Sequence, residues 1–450
     1  MAQSPVTVTV DTRSPGPTIP DDYAGLSFEM QYVLPHTNGS YYFSPKNRPL
    51  IAMFKTLGIK NLRVGGNTAD RPGVAVPGPV DADSLFGFAK AARVKVIYTL
   101  RLRQGSAENV VPIAQHIERH YRAQLACFAI GNEPDVFTKE YPVFREEWKK
   151  YVAAITAAAP GAIFCGPCAT PTRVAWSRQF ADDFAKSGLI TYITQHDYPG
   201  GDSRRATNVV VARDRMLSPA FLDHYEKFYN AFAAAAVSNG LPYRYDEANS
   251  FYDGGALDAS DTFASGLWGL DFLHWWAAHG ACGINFHTGD KVAARDMNKP
   301  CRYAVFWTSS RGYDVHPLGY GLKAFQLGGH GRVLPVTISN TGALDLTAYA
   351  VRGAGRNLFV TIINKEHGAE GHSADLTING AGISGRGRVI FLGAPDGDVA
   401  AKTGVTLGGA AITDNGSWKG KWTSLKADKT GQCVVTVPAA SAAVVELSLK

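Results

Sequence analysis

The pattern of apolar positions changes its character near residue 330. Before that point, continuous apolar runs of strand length alternate with segments whose apolar residues recur at helical spacing. Continuous apolar strands are typical of a parallel sheet that is covered on both faces. Eight runs predict such strands: Tyr23–Phe28, Asn61–Val64, Val94–Leu100, Leu125–Gly131, Ile163–Gly166, Tyr192–His196, Pro242–Asp246 and Gly283–Phe286.

Amphipathic helices are predicted between these strands. The helical spacing is carried by Phe144, Trp148, Tyr151, Val152 and Ile155, by Trp176, Phe180 and Phe184, and by an aromatic-rich segment that opens at Asp261. Eight strand–helix units over about three hundred residues match a (β/α)8 barrel in size. A doubly wound open sheet is the alternative, but no GxGxxG or P-loop pattern follows any predicted strand.

After residue 330 the chain has short alternating strands separated by Gly and Asn turns, which is typical of a β-sandwich. These strands are 344–351, 357–364, 374–378, 388–393, 433–437 and 442–449. The VTVTV segment at 6–10 alternates in the same way, so we expect it to add a strand to the sandwich. The predicted domains are a barrel over 15–330 and a β-sandwich over 331–450 plus 1–14.

The charge and the composition of the chain limit the classes of binding partner that we expect. The net charge is +6, but only 19% of the 450 residues are charged, and the densest basic spots are Arg101–Arg103 and Arg204–Arg205. Such short clusters do not predict a nucleic-acid groove, and no apolar run is long enough for a membrane helix. We therefore expect neither a nucleic-acid nor a membrane partner.

The N-terminus and the cysteines bear on compartment and metal binding. MAQSPVTVTV has no basic n-region and no apolar h-region, so we expect a secreted or periplasmic protein whose signal peptide has been removed, with a cytoplasmic location as the alternative. A disulfide between Cys282 and Cys301 is left open. The CxxC of Cys165 and Cys168 lacks a second ligand pair, and no metal or other cofactor is expected.

Two acidic residues point to the chemistry. Glu133 and Glu247 each follow a predicted buried strand, at the carboxyl ends of the fourth and seventh strands. Active sites of (β/α)8 barrels lie at this end, and burying an ionised acid is costly unless it is paired or reactive. Two carboxyl groups across a cleft are typical of glycoside hydrolysis. The structural alternatives are a loop acid at Glu133 and an ion pair of Glu247 with Arg244.

These residues carry a resemblance to known enzymes. Asn132-Glu133 in GNEP resembles the acid/base motif of the clan A retaining glycosidases. A closer resemblance, to glycoside hydrolase family 79 (β-glucuronidases and heparanases), rests on QHDYP at 195–199, EANSFYDGG at 247–255 and SDTFASGLWGLDFL at 260–273. It spans nearly the whole chain and implies a barrel with a β-sandwich, and no cofactor.

The resemblance also implies roles for the catalytic residues. Glu133 is then the general acid/base and Glu247 the nucleophile. A proton donor needs a raised pKa, for which we expect the neighbouring carboxylate to be the cause. Asn132 is expected to donate to the 2-hydroxyl of the sugar, and Tyr198 to Glu247.

Other residues are expected to hold the rest of the substrate. The Tyr252 hydroxyl and the amides around Gly254 and Gly255 are implied as ligands of a C6 carboxylate. Further candidates are Tyr303 for the same carboxylate, Glu29 for the outer hydroxyls, and His196 as either a sugar contact or a core histidine. Arg63, inside a strand, is expected to neutralise acids in the barrel interior.

The resemblance implies a retaining exo-β-glucuronidase that removes terminal glucuronic acid from a carbohydrate by double displacement. An endo-acting, heparanase-like enzyme is the first alternative and would need a cleft flanked by basic residues, of which the sequence offers few. A non-catalytic carbohydrate-binding protein is the second, and the pair of glutamates disfavours it.

Overall fold

The computed structural model describes residues 6–292, 299–427 and 432–449. Two short strands come first, β1 (Val6–Val10) and β2 (Thr18–Ile19). Eight strands then close into a barrel, each parallel to both of its neighbours. They are β3 (Ala24–Glu29), β4 (Asn61–Gly65), β5 (Lys95–Leu100), β6 (Leu125–Ile130), β7 (Phe164–Ala169), β8 (Ile190–Asp197), β9 (Tyr243–Ala248) and β10 (Gly283–His287). The predicted barrel is confirmed.

The helices pack outside the barrel. They are α1 (Arg48–Leu57), α2 (Pro79–Ala92), α3 (Ala107–Tyr121), α4 (Tyr141–Ala158), α5 (Val174–Phe184), α6 (Val209–Leu217), α7 (Pro219–Phe228), α8 (Ala234–Ser238), α9 (Phe263–Ala278) and α10 (Pro317–Gly328), with a π-helical turn at Tyr229–Ala233. The helix predicted to open at Asp261 begins at Phe263, because Thr262 has extended backbone angles. The aromatic face of α4 is buried as its spacing predicts, with Trp148 against Phe164 of β7 and Phe180 of α5.

Two sheets form the predicted β-sandwich. Its strands, together with the β11–β12 hairpin that precedes it, are β11 (Phe306–Ser309), β12 (Gly312–Val315), β13 (Gly331–Leu334), β14 (Val336–Ser339), β15 (Leu346–Arg352), β16 (Asn357–Asn364), β17 (Ala374–Asn379), β18 (Ile383–Gly393), β19 (Thr406–Leu407), β20 (Thr423–Leu425), β21 (Cys433–Val437) and β22 (Ser441–Leu449). One sheet has the order β14-β1-β17-β21, and the other β19-β18-β22-β16-β15-β13-β2, with β20 paired to β18.

The N-terminal strand joins the sandwich, as the sequence predicts. β1 runs antiparallel to β14 and parallel to β17, and its alternate residues Val6, Val8 and Val10 are buried between the sheets. β2 also pairs with a sandwich strand, β13, although it lies in the range predicted for the barrel. The domain limits at 15–330 and at 331–450 plus 1–14 remain predictions.

A buried ion pair joins the two domains. Asp271 of α9 accepts hydrogen bonds from Thr347 and Tyr349 of β15, and its carboxylate lies 2.9 Å from the Lys365 ammonium. Both charged side chains are almost fully buried. Among the described residues, no helix combines the length and the apolar character needed to cross a bilayer.

One irregularity in the strand pairing of the barrel sets the positions of side chains at the functional site. Along β8, Gln195 pairs with Tyr245 and the next residue, His196, pairs with Glu247, so Asp246 is an extra residue in β9. The pairing of β10 with β9 shifts at the same point. Such a β-bulge re-aims side chains and is common next to active sites. Here it brings the consecutive residues Asp246 and Glu247 into contact with the same arginine, Arg63.

Candidate active site

A cavity of about 440 Å³ opens at the carboxyl ends of the barrel strands. Its wall contains most of the predicted site residues, namely Glu29, Glu133, Tyr198, Glu247, Tyr252, Gly254 and Tyr303. Three other predicted residues, Asn132, His196 and Gly255, are close by but do not line it. Several further wall residues were not predicted as site residues: Arg71, Thr170, Pro171, Thr172, Arg204, Asp253, His287 and Val292.

Glu133 occupies a constrained backbone position directly after β6. It adopts a left-handed conformation with φ 47°, and its N–H donates to the carbonyl of Cys168 at 3.0 Å. The side-chain Oε1 lies 3.0 Å from Nδ1 of His196. Burial raises the pKa of Glu133, against the lowering effect of His196, and the charge of Glu247 raises it further. The neighbouring carboxylate thus raises the pKa of Glu133 as expected, but burial is the larger cause.

Glu247 is held by two donors at the end of β9. The Tyr198 hydroxyl donates to Oε1 at 2.8 Å, and Nη1 of Arg63 donates to Oε2 at 2.6 Å. Burial alone would favour the neutral acid, but His287, His196 and Arg63 together lower the pKa of Glu247 well below its usual range. The expected role of Arg63 as a neutralising charge agrees with these contacts.

The alternative pairing of Glu247 with Arg244 is not formed. Arg244 instead donates from Nε to Oδ1 of Asn285 at 2.7 Å, and its Nη1 lies 3.7 Å from the Asp22 carboxylate. It thus interacts with groups other than the two glutamates.

The two glutamates are close enough for direct double displacement. One carboxylate oxygen of Glu133, one of Glu247 and a ring nitrogen of His196 all lie within 4.8 Å of one another. Retaining glycosidases have carboxyl groups about 5–5.5 Å apart, and inverting enzymes about 6.5–9.5 Å apart. This separation, with one acid favoured as neutral and the other as ionised, suits a proton donor beside a nucleophile.

The same three side chains are spaced closely enough to hold a metal ion. However, the Arg63 guanidinium already lies 2.6 Å from Glu247 and supplies a fixed positive charge. A cation bound to these ligands would be repelled by that charge. The electrostatics therefore favour a metal-free role for the group.

Asn132 does not line the main cavity and is held in place by hydrogen bonds to two neighbouring residues. Its backbone N–H donates to Asp70 at 2.6 Å, and its Oδ1 accepts from Nη2 of Arg63 at 2.6 Å. Because Oδ1 is engaged in this way, the side-chain NH₂ is the group oriented for donation to a ligand. Asn132 lines a smaller pocket of about 140 Å³ that adjoins Glu133 and includes Arg71 and Arg103.

The turn after β9 forms one end of the cavity. Asp253, Gly254 and Gly255 have consecutive positive φ values of 62°, 88° and 90°. A Cβ at Gly254 would overlap the side chain of Val292, so glycine is required there. Tyr252 is 40% exposed and lines the cavity.

Glu29 ends β3 and is fixed by the loop after β4. Its Oε2 accepts from the Thr68 amide at 2.8 Å and from the Thr68 hydroxyl at 2.7 Å, while Oε1 accepts from the Asn67 amide. Nε2 of His287 lies 3.5 Å from the same carboxylate. His287 ends β10, so its place directly after the eighth predicted strand was a usable signal that the sequence analysis missed.

Cys282 and Cys301 are free thiols, so the disulfide left open by the sequence is not formed. Cys165 and Cys168 are also free and buried inside the barrel. Cys301 instead packs with Tyr198, Val292 and Tyr303 behind the cavity wall.

Comparison with known proteins finds similarity to one family of glycoside hydrolases. Residues 348–444 match the model of the glycosyl hydrolase family 79 C-terminal beta domain. A curated β-glucuronidase from Aspergillus niger is 23% identical over 253 residues, which cover 49% of this chain and 45% of that protein. The match thus spans about half the length of the curated relative.

Solved structures share the fold over the whole chain. A 4-O-α-L-rhamnosyl-β-D-glucuronidase from Fusarium oxysporum has a TM-score of 0.75 at 18% identity, covering 97% of this chain and 99% of that one. A family 51 α-L-arabinofuranosidase from Bifidobacterium longum has a TM-score of 0.70 at 15% identity, covering 99% and 100%. The chain is thus similar to glycosyl hydrolase family 79 in its C-terminal beta domain, and to a β-glucuronidase over about half its length.

Proposed function

We propose that this protein is a retaining exo-β-glucuronidase that releases terminal β-linked glucuronic acid from a glycan or glucuronide. The observation that carries the proposal is the pair Glu133 and Glu247, whose oxygens lie within 4.8 Å of each other and whose pKa values are shifted in opposite directions. The curated relative from Aspergillus niger, a β-glucuronidase, supports the choice of sugar.

The first step forms a covalent intermediate. Glu133, neutral at the start, donates its proton to the glycosidic oxygen while the ionised Glu247 attacks the anomeric carbon, and the aglycone leaves as an alcohol. The Tyr198 hydroxyl and Arg63 orient the Glu247 carboxylate for this attack. The Asn132 amide is placed to donate to the 2-hydroxyl, a hydrogen bond that strengthens in the transition state.

The second step reverses the roles. Glu247 has lost its charge by esterification, so its contribution to the raised pKa of Glu133 disappears. Glu133 then takes a proton from water as the water attacks the anomeric carbon. The product is β-glucuronic acid, with the configuration of the substrate.

Recognition of the C6 carboxylate is proposed for the turn at Tyr252 and Gly254. The exposed tyrosine hydroxyl is a donor at the cavity wall, and the glycine lets the backbone come close to an anion. Tyr303 lines the same end of the cavity. Gly255 lies behind the wall, so it acts through the shape of the turn rather than by contact.

Exo action suits the size of the cavity. Its volume of about 440 Å³ is near the low end of the range of about 300–1,000 Å³ for small-molecule sites. The adjoining pocket with Arg71 and Arg103 gives room for part of the leaving group next to Glu133. An endo-acting enzyme would need longer basic flanks for a sulfated chain.

A panel of substrates tests the proposal. Aryl β-glucuronide should be hydrolysed much faster than the matching aryl β-glucoside and α-L-arabinofuranoside. On a reduced glucuronate-terminated oligosaccharide, exo action releases only monomeric glucuronic acid. Internal fragments would instead support the endo alternative, and binding without turnover on every substrate would support a carbohydrate-binding protein.

A further inference from the structure

A buried carboxylate with no part in the steps above lies beside the two glutamates. Asp246 is the extra residue of the β9 bulge and is fully buried. Neither of its oxygens has a hydrogen-bond partner among the described residues. An ionised acid in this position is costly unless nearby positive charge compensates it.

An arginine and a histidine face Asp246. Nε of Arg63 lies 3.6 Å from Oδ2, and Nε2 of His196 lies 3.6 Å from Oδ1. These two nitrogens also lack hydrogen-bond acceptors in the described part of the chain. The carboxylate is therefore held between them by charge rather than by hydrogen bonds.

The imidazole of His196 connects this carboxylate to the catalytic pair. Its other nitrogen, Nδ1, lies 3.0 Å from Glu133 and 3.7 Å from Glu247. One nitrogen of this ring thus faces Asp246 and the other faces Glu133 and Glu247. None of the surface of His196 is exposed.

We propose that Asp246 is a positioning residue that keeps His196 as an imidazolium, so that one cation is shared by Glu133 and Glu247. In this state both ring nitrogens carry protons: Nε2–H faces Asp246, and Nδ1–H donates to Glu133 and attracts Glu247. The shared cation stabilises the ionised Glu247 before the first step and the ionised Glu133 after Glu247 is esterified, and the two carboxyl groups have oxygens within 4.8 Å of each other.

The electrostatics of the surrounding groups agree with this role. Burial alone would lower the pKa of His196, but Glu247 and Asp246 raise it well above its ordinary value. The other titratable groups around His196 and Asp246 are Arg63 of β4, Glu133 after β6, Cys168 of β7, Tyr198 after β8 and His287 of β10. The positive charges of Arg63 and of a protonated His287 disfavour a proton on His196. The negative charge of Asp246, which faces Nε2 of His196, offsets them.

The variant Asp246→Asn keeps the shape and removes the charge. His196 should then lose its proton, and the pKa values of Glu133 and Glu247 should both rise, because His196 lowers both. In kcat/KM the acidic limb reports Glu247 and the basic limb Glu133. Both limbs should move to higher pH, by about one pH unit for the loss of a charge this close.

Nitrogen-15 NMR of histidine-labelled protein tests the proposal directly, with the His196 signal assigned by its loss in His196→Gln. At pH 7 the wild-type ring should be doubly protonated and the Asp246→Asn ring neutral. Asp197→Asn is the matched control, since Asp197 is equally buried beside a histidine, His224, at 2.9 Å. It should change neither the His196 signal nor the pH limbs.

Two results would overturn the proposal. One is a neutral His196 in the wild-type protein at pH 7, which can be seen even if the variant does not fold. The other is a His196 that stays doubly protonated in Asp246→Asn. The pH profile rests on the proposed function but the NMR signal does not, so an enzyme that fails to hydrolyse glucuronides would leave the proton on His196 open to measurement.

Discussion

Glu133 and Glu247 are the same residue type in one cavity, and their neighbours give them different proton affinities. Glu133 has a single ring nitrogen at 3.0 Å, and burial dominates its pKa. Glu247 has an arginine and a tyrosine within hydrogen-bond distance and two histidines at 3.7 Å. The proposed division between acid and nucleophile therefore depends on the residues around each carboxyl group.

Tyr198 offers a test at this scale. Tyr198→Phe removes a hydroxyl that donates to Glu247 at 2.8 Å, an interaction worth about 1.5–3 kcal/mol with a charged acceptor. We expect kcat/KM on aryl β-glucuronide to fall by about 10- to 100-fold. The acidic limb of the pH profile should also move to higher pH, because this hydrogen bond lowers the pKa of Glu247.

The control for this variant is Tyr141→Phe. That tyrosine also donates its hydroxyl to a carboxylate, Asp183 at 2.9 Å, but it lies on α4 outside the cavity. Its loss should leave kcat/KM and the acidic limb unchanged. Equal effects of the two variants would show that Tyr198 supports the fold rather than the nucleophile.

At the scale of elements, the site depends on strand ends and on one bulge. Continuous apolar runs mark where a parallel strand ends, and Glu133 lies after β6 as the sequence predicts. Glu247 lies at the carboxyl end of β9 but inside the strand, which extends to Ala248, rather than after it. The sequence did not show that Asp246 shares the interior with Glu247, since an apolar pattern fixes the length of a strand but not its pairing with the neighbours. The contacts of His196 followed from the same unseen bulge.

The shortest strands could also not be predicted from the pattern of apolar and polar residues. β2 and β19 have two residues each, too few to show an alternation of buried and exposed positions. The wall residue Thr170 lies in a loop and Arg204 in a single 3-10 turn, Ser203–Arg205, and neither has a periodicity that points to a cavity.

The turn after β9 supplies a prediction for an element. Gly254→Ala forces a positive φ on alanine and overlaps Val292, so the Tyr252 turn should shift. We expect the rate on β-glucuronide to fall more than any rate on the matching β-glucoside, since the proposed carboxylate contact is lost. Steady-state kinetics on both substrates measure this ratio.

Gly188→Ala is the matched control for the turn. Gly188 has a φ of +69°, but a Cβ there has nothing within 4 Å. It should cost stability, by about 1–3 kcal/mol for a left-handed alanine, without changing the ratio of the two rates. An unchanged ratio in Gly254→Ala as well would remove the turn from carboxylate recognition.

At the scale of the whole molecule, the β-sandwich is tied to the barrel through α9. Asp271→Ala leaves the buried Lys365 ammonium without its partner at 2.9 Å. An unpaired buried charge costs about 3–5 kcal/mol, which should appear as a lower free energy of unfolding in denaturant titration.

Two comparisons check that explanation. Replacing both partners together, as Asp271→Leu with Lys365→Met, should destabilise less than the single change, because no charge is left unpaired. Asp21→Ala breaks an exposed ion pair with Lys60 at 3.6 Å and should have little effect. A double variant as unstable as Asp271→Ala would mean that packing at this interface, and not the charge, sets the cost.

The central claim is that Glu247 forms a covalent bond to the sugar while Glu133 handles the proton. A 2-deoxy-2-fluoro-β-glucuronyl fluoride should react with the enzyme once and stall, because the fluorine slows the second step more than the activated first step. Mass spectrometry of the digested protein should then find the fluorosugar on the peptide that contains Glu247, and Glu247→Gln should abolish the label. A label on Glu133, or turnover to an α-configured product with no label at all, would contradict the account.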